Sequence, residues 1–265
     1  MSHIQKAENS QEELSHLEAK FKEIENSSLN ISIVPDNQYL CIRLDGFKAT
    51  KTYLKDVLFN KNFNELLFKG FSSIFYSFKH YLNREYTSSI VCAYIANDEI
   101  SIVLNKDNVD DGKRVMKLCT LFAGVLSASV TAYHKKKNHK KIETIAFDAR
   151  PLILSGDEIS EYMHYRYLLS KRYAYWKVLR LNNVENVYED EIKCNICNAI
   201  HETCKIEKEQ DALKVISTYK FFVTEKLANP KFISYDISDS NMSENNLHRL
   251  LEDYLRYLHT TKQRS

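Results

Sequence analysis

Along residues 11–181, segments in which apolar residues recur with helical spacing alternate with extended apolar runs. Together they predict four helices and four strands. Stripes with the spacing of an amphipathic helix cover residues 11–25, 62–81, 110–134 and 155–181. Extended apolar runs cover residues 37–46, 88–105 and 142–154, and a polar turn at residues 97–99 divides the middle run into a hairpin. After the first helix the order is strand, helix, strand, strand, helix, strand, which is the ferredoxin-like order also used by the palm of polymerases.

This order predicts an α+β fold over residues 1–181: a ferredoxin-like or polymerase-palm antiparallel sheet (βαββαβ) with packed helices. Beyond residue 182 the pattern is charged and helical, and a strand is indicated only at "KFISYDI", residues 231–237. We therefore interpret residues 182–265 as a mostly helical C-terminal appendage.

Composition narrows the classes of function. The formal net charge of the 265 residues is only +2, so any affinity for nucleic acid has to come from a local patch. With five glycines and no P-loop or Rossmann motif, the usual phosphate-binding loops are excluded. No apolar run approaches the ~20 residues of a membrane span, and the polar N-terminus lacks a secretory signal, so we expect no membrane partner and a cytoplasmic location with reduced cysteines.

Acidic residues stand at the tips of two predicted strands, where an unpaired buried carboxylate would be costly. Asp45 ends the first strand, and Asp98 and Glu99 lie in the hairpin turn. In the ferredoxin-like order these tips share one edge, so Asp45 and Asp98 would face each other. Two close carboxylates repel unless a proton or cation intervenes, and Mg²⁺ commonly binds one or two carboxylates together with substrate phosphates. The sequence thus favours a divalent metal site, although either aspartate alone is also a common turn former or helix cap.

A basic segment, "YHKKKNHKK", follows the third helix at residues 133–141. The topology brings the end of that helix to the same edge as the acidic tips. Positive charge there suits an RNA or a triphosphate, so we expect contacts from Lys135, Lys136, Lys137 and Lys140. The alternative is a solvated loop.

Several segments, in order along residues 15–176, resemble motifs of the tRNA-histidine guanylyltransferase-like proteins, the 3′-to-5′ polymerases. "RLDGFK" is similar to the family's aspartate–glycine motif, and "NDEISIV" to its S-D-E strand pair. "LEAKFKEIE" resembles the opening helix, "NKNFNELL" the K-P-x-D segment, "KRVMKLCTLFAGVLSASV" the R-R-x-x-K helix, and "AFDARPLIL" the F-D-G/A-R strand.

The resemblance implies an enzyme that adds nucleotides to the 5′ end of RNA, classically tRNA, using a nucleoside triphosphate such as ATP or GTP and two Mg²⁺ ions. It implies metal binding by Asp45, Asp98 and the Gly46 carbonyl, with Glu99 assisting. It further implies nucleotide contacts from residues that stand at the family's motif positions: Lys48, Lys61, Asn64, Asn97, Arg114 and Lys117. A homo-oligomer, dimer or tetramer, is also implied.

The chain departs from the family pattern in two places. Lys48 replaces the family's histidine after a shortened loop, and "YRYLLSKRY" replaces the family's W-R-Q-x-D-x-x-x-N. Arg166, an expected RNA contact, survives, but an aromatic face replaces the polar block. The changed helix leaves two other functions open: a palm-type synthase of a cyclic or short oligonucleotide signal, and a non-catalytic RNA-binding relic.

Three further patterns have competing interpretations. Cys194, Cys197, His201 and Cys204 offer four zinc ligands, but the ligand pairs are too close for a usual structural site, and a buried helix face is the favoured alternative. The aromatic stripe of residues 162–176 could stack bases, but aromatics at helical spacing more often form a core or a subunit interface. Asp148 and Arg150 are expected to form a structural ion pair rather than to act in catalysis.

Overall fold

The computed structural model describes residues 3–49, 61–81, 90–105, 114–138, 144–181, 211, 214–215, 219–224 and 232–236. Within these ranges the helices are α1 (His3–Ser28), α2 (Lys61–Tyr81), α3 (Val115–Asn138) and α4 (Gly156–Leu181). The strands are β1 (Tyr39–Gly46), β2 (Ile90–Ala96), β3 (Glu99–Asn105), β4 (Phe147–Leu154), β5 (Lys220–Thr224) and β6 (Phe232–Asp236). The four predicted helices and the first four predicted strands are confirmed, with α1 extending further at both ends.

All described strands form one antiparallel sheet in the order β4-β1-β3-β2-β5-β6. The first four strands have the order of the ferredoxin-like fold, so the predicted α+β palm is confirmed. β6 was indicated by its sequence, whereas β5 was not predicted. β5 pairs with β2 through Cys92↔Val223 to Ile95↔Lys220, so the sheet continues across the expected division at residue 181.

The sheet separates two apolar cores because successive side chains of a strand point to opposite faces. α2 and α3 cover one face, with Leu40, Ile42 and Leu44 of β1 in that core. α1 and α4 cover the other face, with Cys41, Val103 and Leu152 in theirs. The acidic strand tip lies on this second face, because Asp45 continues the series of Cys41 and Arg43.

α4 begins at the capping box expected from its sequence. The Ser155 backbone N–H donates to Glu158 Oε2 at 2.9 Å, and the Glu158 N–H donates to Ser155 Oγ at 3.4 Å. The cap fixes where α4 starts, directly after β4, and so fixes which of its residues cross the second face of the sheet.

α3 is the one described helix that is long and apolar enough, by length and composition alone, to cross a membrane, over Val115–His134. Our expectation that no such run exists was therefore wrong for this segment. In the fold its buried side chains, including Leu118, Phe122, Leu126 and Val130, pack into the first core. That single apolar stripe is typical of an amphipathic core helix.

The cysteines in the described part of the chain agree with the expectation of reduced core thiols. Cys41, Cys92 and Cys119 are free and buried. Burial raises the pKa of all three thiols, the pKa of Cys119 to about 12, so they are protonated and unreactive at neutral pH. The possible zinc ligands at residues 194–204 lie outside the described residues.

Candidate active site

The end of β1 meets the β2–β3 turn at one edge of the sheet. The Gly46 N–H donates to the backbone oxygen of Asp98 at 3.0 Å. We had expected Asp45 and Asp98 to face each other across the strands. The register instead sets Asp45 opposite Glu99, and Asp98 lies one residue away, in the turn. Asn97 has φ 55°, a left-handed conformation that asparagine tolerates better than most residues. The acidic tips are therefore brought together, with Asp98 held by a tight turn.

Gly46 is required for this close approach. A Cβ at residue 46 would lie 2.6 Å from the Ala49 Cβ and 3.3 Å from the Asp98 backbone oxygen. The first distance is too short for two carbon atoms, so any side chain would displace the segment that carries Ala49 and would also press on the Asp98 backbone oxygen.

A cavity of about 250 Å³ opens beside the acidic edge, between the sheet and α4. Its walls come from β1, β2, the turn, β3 and α4: Asp45, Tyr94, Ala96, Asn97, Asp98, Glu99, Arg166, Ser170, Tyr173, Trp176 and Lys177. Asp45 and Asp98 thus line one space, as the sequence predicted. Of the aromatic stripe of α4, Tyr173 and Trp176 line the same space, whereas Tyr162 and Tyr165 pack in the second core, as the core interpretation expected.

The pKa of Asp45 is raised to about 7. Burial is the main cause, followed by repulsion from the negative charges of Glu99 and Asp98, while Arg43 acts in the opposite direction. A carboxylate whose pKa is raised by burial and by acidic neighbours favours either a proton or a bound cation.

Glu99 lines the cavity, but its carboxylate is paired with two arginines. Arg166 of α4 forms a charged hydrogen bond to Glu99 Oε2, and Arg43 Nε lies 3.8 Å from the same oxygen. Arg43 in turn binds Glu25 of α1 at 2.8 Å. Arg166, expected to contact RNA, is a largely buried residue of α4 that lines the cavity and anchors the helix to β3.

Lys177 enters the cavity from the C-terminal half of α4 and was not singled out by the sequence. Its Nζ lies 3.8 Å from Asp98 Oδ1, and only 5% of the residue is exposed. Burial lowers the pKa of Lys177, against the opposing effect of the Asp98 charge. A basic residue on a helix of mixed composition gives no sequence signal until the packing of that helix is known.

A buried tyrosine from the C-terminal third holds the β2–β3 turn in place. The Tyr219 hydroxyl lies 2.9 Å from Asn97 Oδ1 and 3.2 Å from the Ser170 backbone oxygen. The Ser170 and Tyr94 hydroxyls form a further bond of 2.6 Å. The oxygen of Asn97, a predicted nucleotide contact, thus accepts a bond from the segment leading into β5.

The oxygen ligands in the cavity suit an Mg²⁺ ion that is bound together with a nucleotide. In the described part of the chain, no group of three or more histidine, cysteine or acidic side chains is arranged to hold a metal. Two carboxylates, Asp45 and Asp98, line the cavity without being committed to arginine. Mg²⁺ needs no more than this when substrate phosphates supply further oxygens, so the residues fit an ion bound together with a nucleotide.

The other predicted contacts are placed at three locations. Lys48 is exposed next to Asp45, with its Nζ 5.0 Å above the Phe47 ring. Lys61 and Asn64 begin α2, but their side chains lie outside the described part of the chain. Arg114 and Lys117 lie at the start of α3, exposed and outside the cavity wall.

The two ends of α3 lie at very different distances from the acidic edge of the sheet. Thr131 Oγ1 accepts a bond from Ile145 N–H at 3.0 Å, just before β4, so the C-terminal half of α3 reaches that edge. At ~1.5 Å per residue, Lys117 lies roughly 20 Å from Thr131 along the helix. The structure therefore does not bring Arg114 and Lys117 to the carboxylates. The backbone of residues 135–137 continues from Thr131 toward that edge, on the first face of the sheet, whereas Lys140 lies outside the described residues.

Comparison with known proteins agrees with this geometry. The family model of tRNAHis guanylyltransferase (Thg1) matches residues 18–155, just over half of the chain. A bacterial tRNA(His) guanylyltransferase-like protein solved with ATP is similar in structure, with a TM-score of 0.57, 16% identity, and coverage of 86% of this chain and 97% of that one. The complex of a bacterial protein of the same description with GTP gives 0.55, 16%, 86% and 98%.

The tRNA(His) guanylyltransferase of Saccharomyces cerevisiae is also similar, with a TM-score of 0.48, 19% identity, and coverage of 69% of this chain and 79% of that one. No curated protein sequence matches the chain. The bacterial structures share the fold, and the matched segment contains β1, the β2–β3 turn and β4, on which the acidic edge is built. The chain therefore belongs to the tRNAHis guanylyltransferase family of nucleotidyltransferases.

Proposed function

We propose that this nucleotidyltransferase adds nucleotides to the 5′ end of an RNA, with tRNA as the first candidate, in the 3′-to-5′ direction. The observation that carries the proposal is the shared cavity of Asp45 and Asp98, at the strand tip and turn inside the family match. GTP and ATP are the candidate substrates, because structurally similar bacterial proteins were solved with each of them.

In the proposed reaction the 3′-hydroxyl of the incoming nucleotide attacks the α-phosphorus of a 5′-triphosphorylated RNA end: a bond forms between the 3′-oxygen and that phosphorus, the bond to the β-phosphate bridging oxygen breaks, pyrophosphate leaves, and the hydroxyl proton passes to solvent. Asp45, Asp98 and the Gly46 carbonyl would hold Mg²⁺, which when bound stabilises the charge that develops on phosphorus. Tyr173 and Trp176 on the cavity wall offer ring faces for a base. The basic end of α3 lies close to the same edge, where it suits an RNA backbone.

The direct test is incubation of the protein with a 5′-triphosphorylated or 5′-truncated tRNA, Mg²⁺ and each labelled nucleotide in turn. We expect incorporation by the wild type and a loss of at least a hundredfold in Asp98→Asn, which keeps the shape of the side chain but not its charge. Asp157→Asn, at an exposed acid in the first turn of α4, is the matched control and should keep full activity. A wild type that incorporates none of the four nucleotides would contradict the proposal.

The aromatic wall favours a second candidate, a synthase that joins nucleotides to one another. Tyr173 and Trp176 could hold a base of a second nucleotide without any RNA. Separation of the products formed from nucleotides and Mg²⁺ alone decides between the two: a cyclic or short oligonucleotide supports the synthase, and dependence on added RNA supports the RNA 5′-end reaction. A non-catalytic relic would give neither product.

A further inference from the structure

Lys177 places a positive charge inside the cavity where the proposed function requires cations. Its ammonium lies 3.8 Å from Asp98 Oδ1, and the side chain is only 6% exposed. An amine so buried can neither turn to solvent nor exchange its partner for water without moving α4. Its charge is therefore a fixed part of the site.

The charges on the cavity wall balance almost completely. Asp45, Asp98 and Glu99 supply three acids, and Arg166 and Lys177 supply two bases. Glu99 is paired with Arg166, and Asp98 with Lys177. In the described part of the chain, Asp45 is the wall carboxylate that lacks such an ion pair.

This balance limits how many divalent ions the free enzyme can hold. An ion bound to both Asp45 and Asp98 would come within a few ångströms of the Lys177 ammonium, and like charges at such a distance in a half-buried site repel strongly. A second ion would add two more positive charges to a wall with one uncompensated acid. A nucleoside triphosphate brings several negative charges and removes this obstacle.

We propose that Lys177 is a built-in cation of the metal centre: it makes the free enzyme bind a single divalent ion, weakly, and makes the second ion depend on a bound triphosphate. This inference deepens the proposed function and rests on its metal site. In the loaded enzyme the same ammonium, partly released from Asp98, is placed to contact a phosphate oxygen.

A titration with Mn²⁺ in the absence of nucleotide tests the inference. The electron paramagnetic resonance signal of unbound Mn²⁺ measures how many ions bind and how tightly. We expect one weak ion in the wild type, and in Lys177→Met either at least tenfold tighter binding or a second ion. Lys171→Met is the matched control, because Lys171 lies on the same helix with its Nζ 5.9 Å above the Tyr167 ring and outside the cavity wall. Unchanged or weaker binding in Lys177→Met would overturn the inference.

A second measurement needs no variant and so does not depend on whether Lys177→Met folds. The wild type is titrated with Mn²⁺ with and without a non-hydrolysable nucleoside triphosphate, and we expect two bound ions with the nucleotide and one without it. Two tight ions without nucleotide, or no change on adding it, would contradict the role of Lys177.

The two proposals fail in distinguishable ways. Tighter Mn²⁺ binding in Lys177→Met with no nucleotide incorporation by the wild type would support the built-in cation and contradict the proposed reaction. If the wild type incorporates nucleotides, Asp98→Asn does not, and Lys177→Met leaves Mn²⁺ binding unchanged, the proposed reaction is supported and the built-in cation is contradicted. A wild type that binds no Mn²⁺ even with nucleotide contradicts both.

Discussion

At the scale of single residues, Asp45 has the strongest conflict with its surroundings. It is an acid at the end of a buried strand, under the influence of three other acids (Glu99, Asp98 and Asp148) and of one arginine. Its raised pKa shows that the fold without a metal prefers it protonated. Keeping this carboxylate in the cavity therefore lowers the stability of the fold, and interactions elsewhere have to offset that loss.

This conflict predicts how the stability of the metal-free protein depends on pH. The pKa of Asp45 is about 7 in the folded chain against the usual 3.8, so between these values the folded state holds more protons than the unfolded one. The contribution of Asp45 to the free energy of unfolding is therefore largest below pH 4 and declines as pH rises to about 7.

Asp45→Asn should remove this decline and stabilise the protein at pH 8, relative to pH 4, by roughly 2–4 kcal/mol at ~1.4 kcal/mol per pKa unit. Urea unfolding with a chelator present, at both pH values, measures the difference. An equal effect of the substitution at pH 4 and pH 8 would contradict the account.

Gly46 gives a second prediction at the residue scale. Gly46→Ala should destabilise the protein by roughly 1–3 kcal/mol, because its Cβ would meet Ala49 at 2.6 Å and press on the turn of Asp98. Gly124→Ala on α3 is the control: nothing lies within 4 Å of its Cβ, and alanine in a helix should add up to about 1 kcal/mol. Thermal unfolding of both variants checks the prediction, which fails if they behave alike.

At the scale of elements, β5 and the residue before it link the C-terminal third to the acidic turn. Tyr219 bonds to Asn97 in the turn and to Ser170 on α4, so one hydroxyl ties together both sides of the cavity. Without it the left-handed Asn97, next to Asp98, would lose its link to α4 and to the segment before β5.

Tyr219→Phe removes only that hydroxyl. We expect a loss of about 1–2 kcal/mol in the free energy of unfolding. We also expect a lower kcat for nucleotide addition with little change in KM, because Asp98 would be less well placed. Tyr165→Phe, at a ring stacked on Phe21 of α1, is the control and should leave kcat unchanged. A Tyr219→Phe variant with a wild-type kcat would show that the turn does not need this support.

The elements also show what the sequence could predict. Helical stripes and alternating strands are enough to locate the palm, and its strand order then places Asp45 and Asp98 at one edge from the sequence alone. β5 was missed because "KFFVT" is a five-residue run with no turn signal beside it. Lys177 and the buried pairing of Arg166 with Glu99 were missed because they depend on how α4 crosses the sheet, which no local pattern encodes.

At the scale of the whole molecule, a chain of ion pairs runs from the cavity across the second face of the sheet to the edge strand β4. Arg166 pairs with Glu99, Arg43 lies between Glu99 and Glu25, and Arg150 joins Glu25 at 3.1 Å. The expected pair of Arg150 with Asp148 is confirmed, with Nε and Oδ2 3.3 Å apart, and ends the chain. These links connect α4, β3, β1, α1 and β4.

Glu25, like Glu99, joins two arginines in this chain of ion pairs. Glu25→Gln would leave Arg43 and Arg150 facing a neutral amide, and we expect a loss of roughly 1–3 kcal/mol, since the Arg43 and Glu25 side chains are each only 14% exposed. Glu13→Gln is the control, because Glu13 is 54% exposed and should change stability by less than about 0.5 kcal/mol. Chemical denaturation measures both, and equal effects would contradict a buried network.

The central claim is that Asp45 and Asp98 together hold a divalent cation. A crystal of the wild type with Mn²⁺ and a non-hydrolysable nucleoside triphosphate, measured at the manganese absorption edge, tests it most directly. We predict an anomalous peak in the cavity at roughly 2.0–2.3 Å from a carboxylate oxygen of each aspartate. A peak that lies elsewhere, or one bound to the triphosphate alone with both aspartates out of reach, would contradict the account.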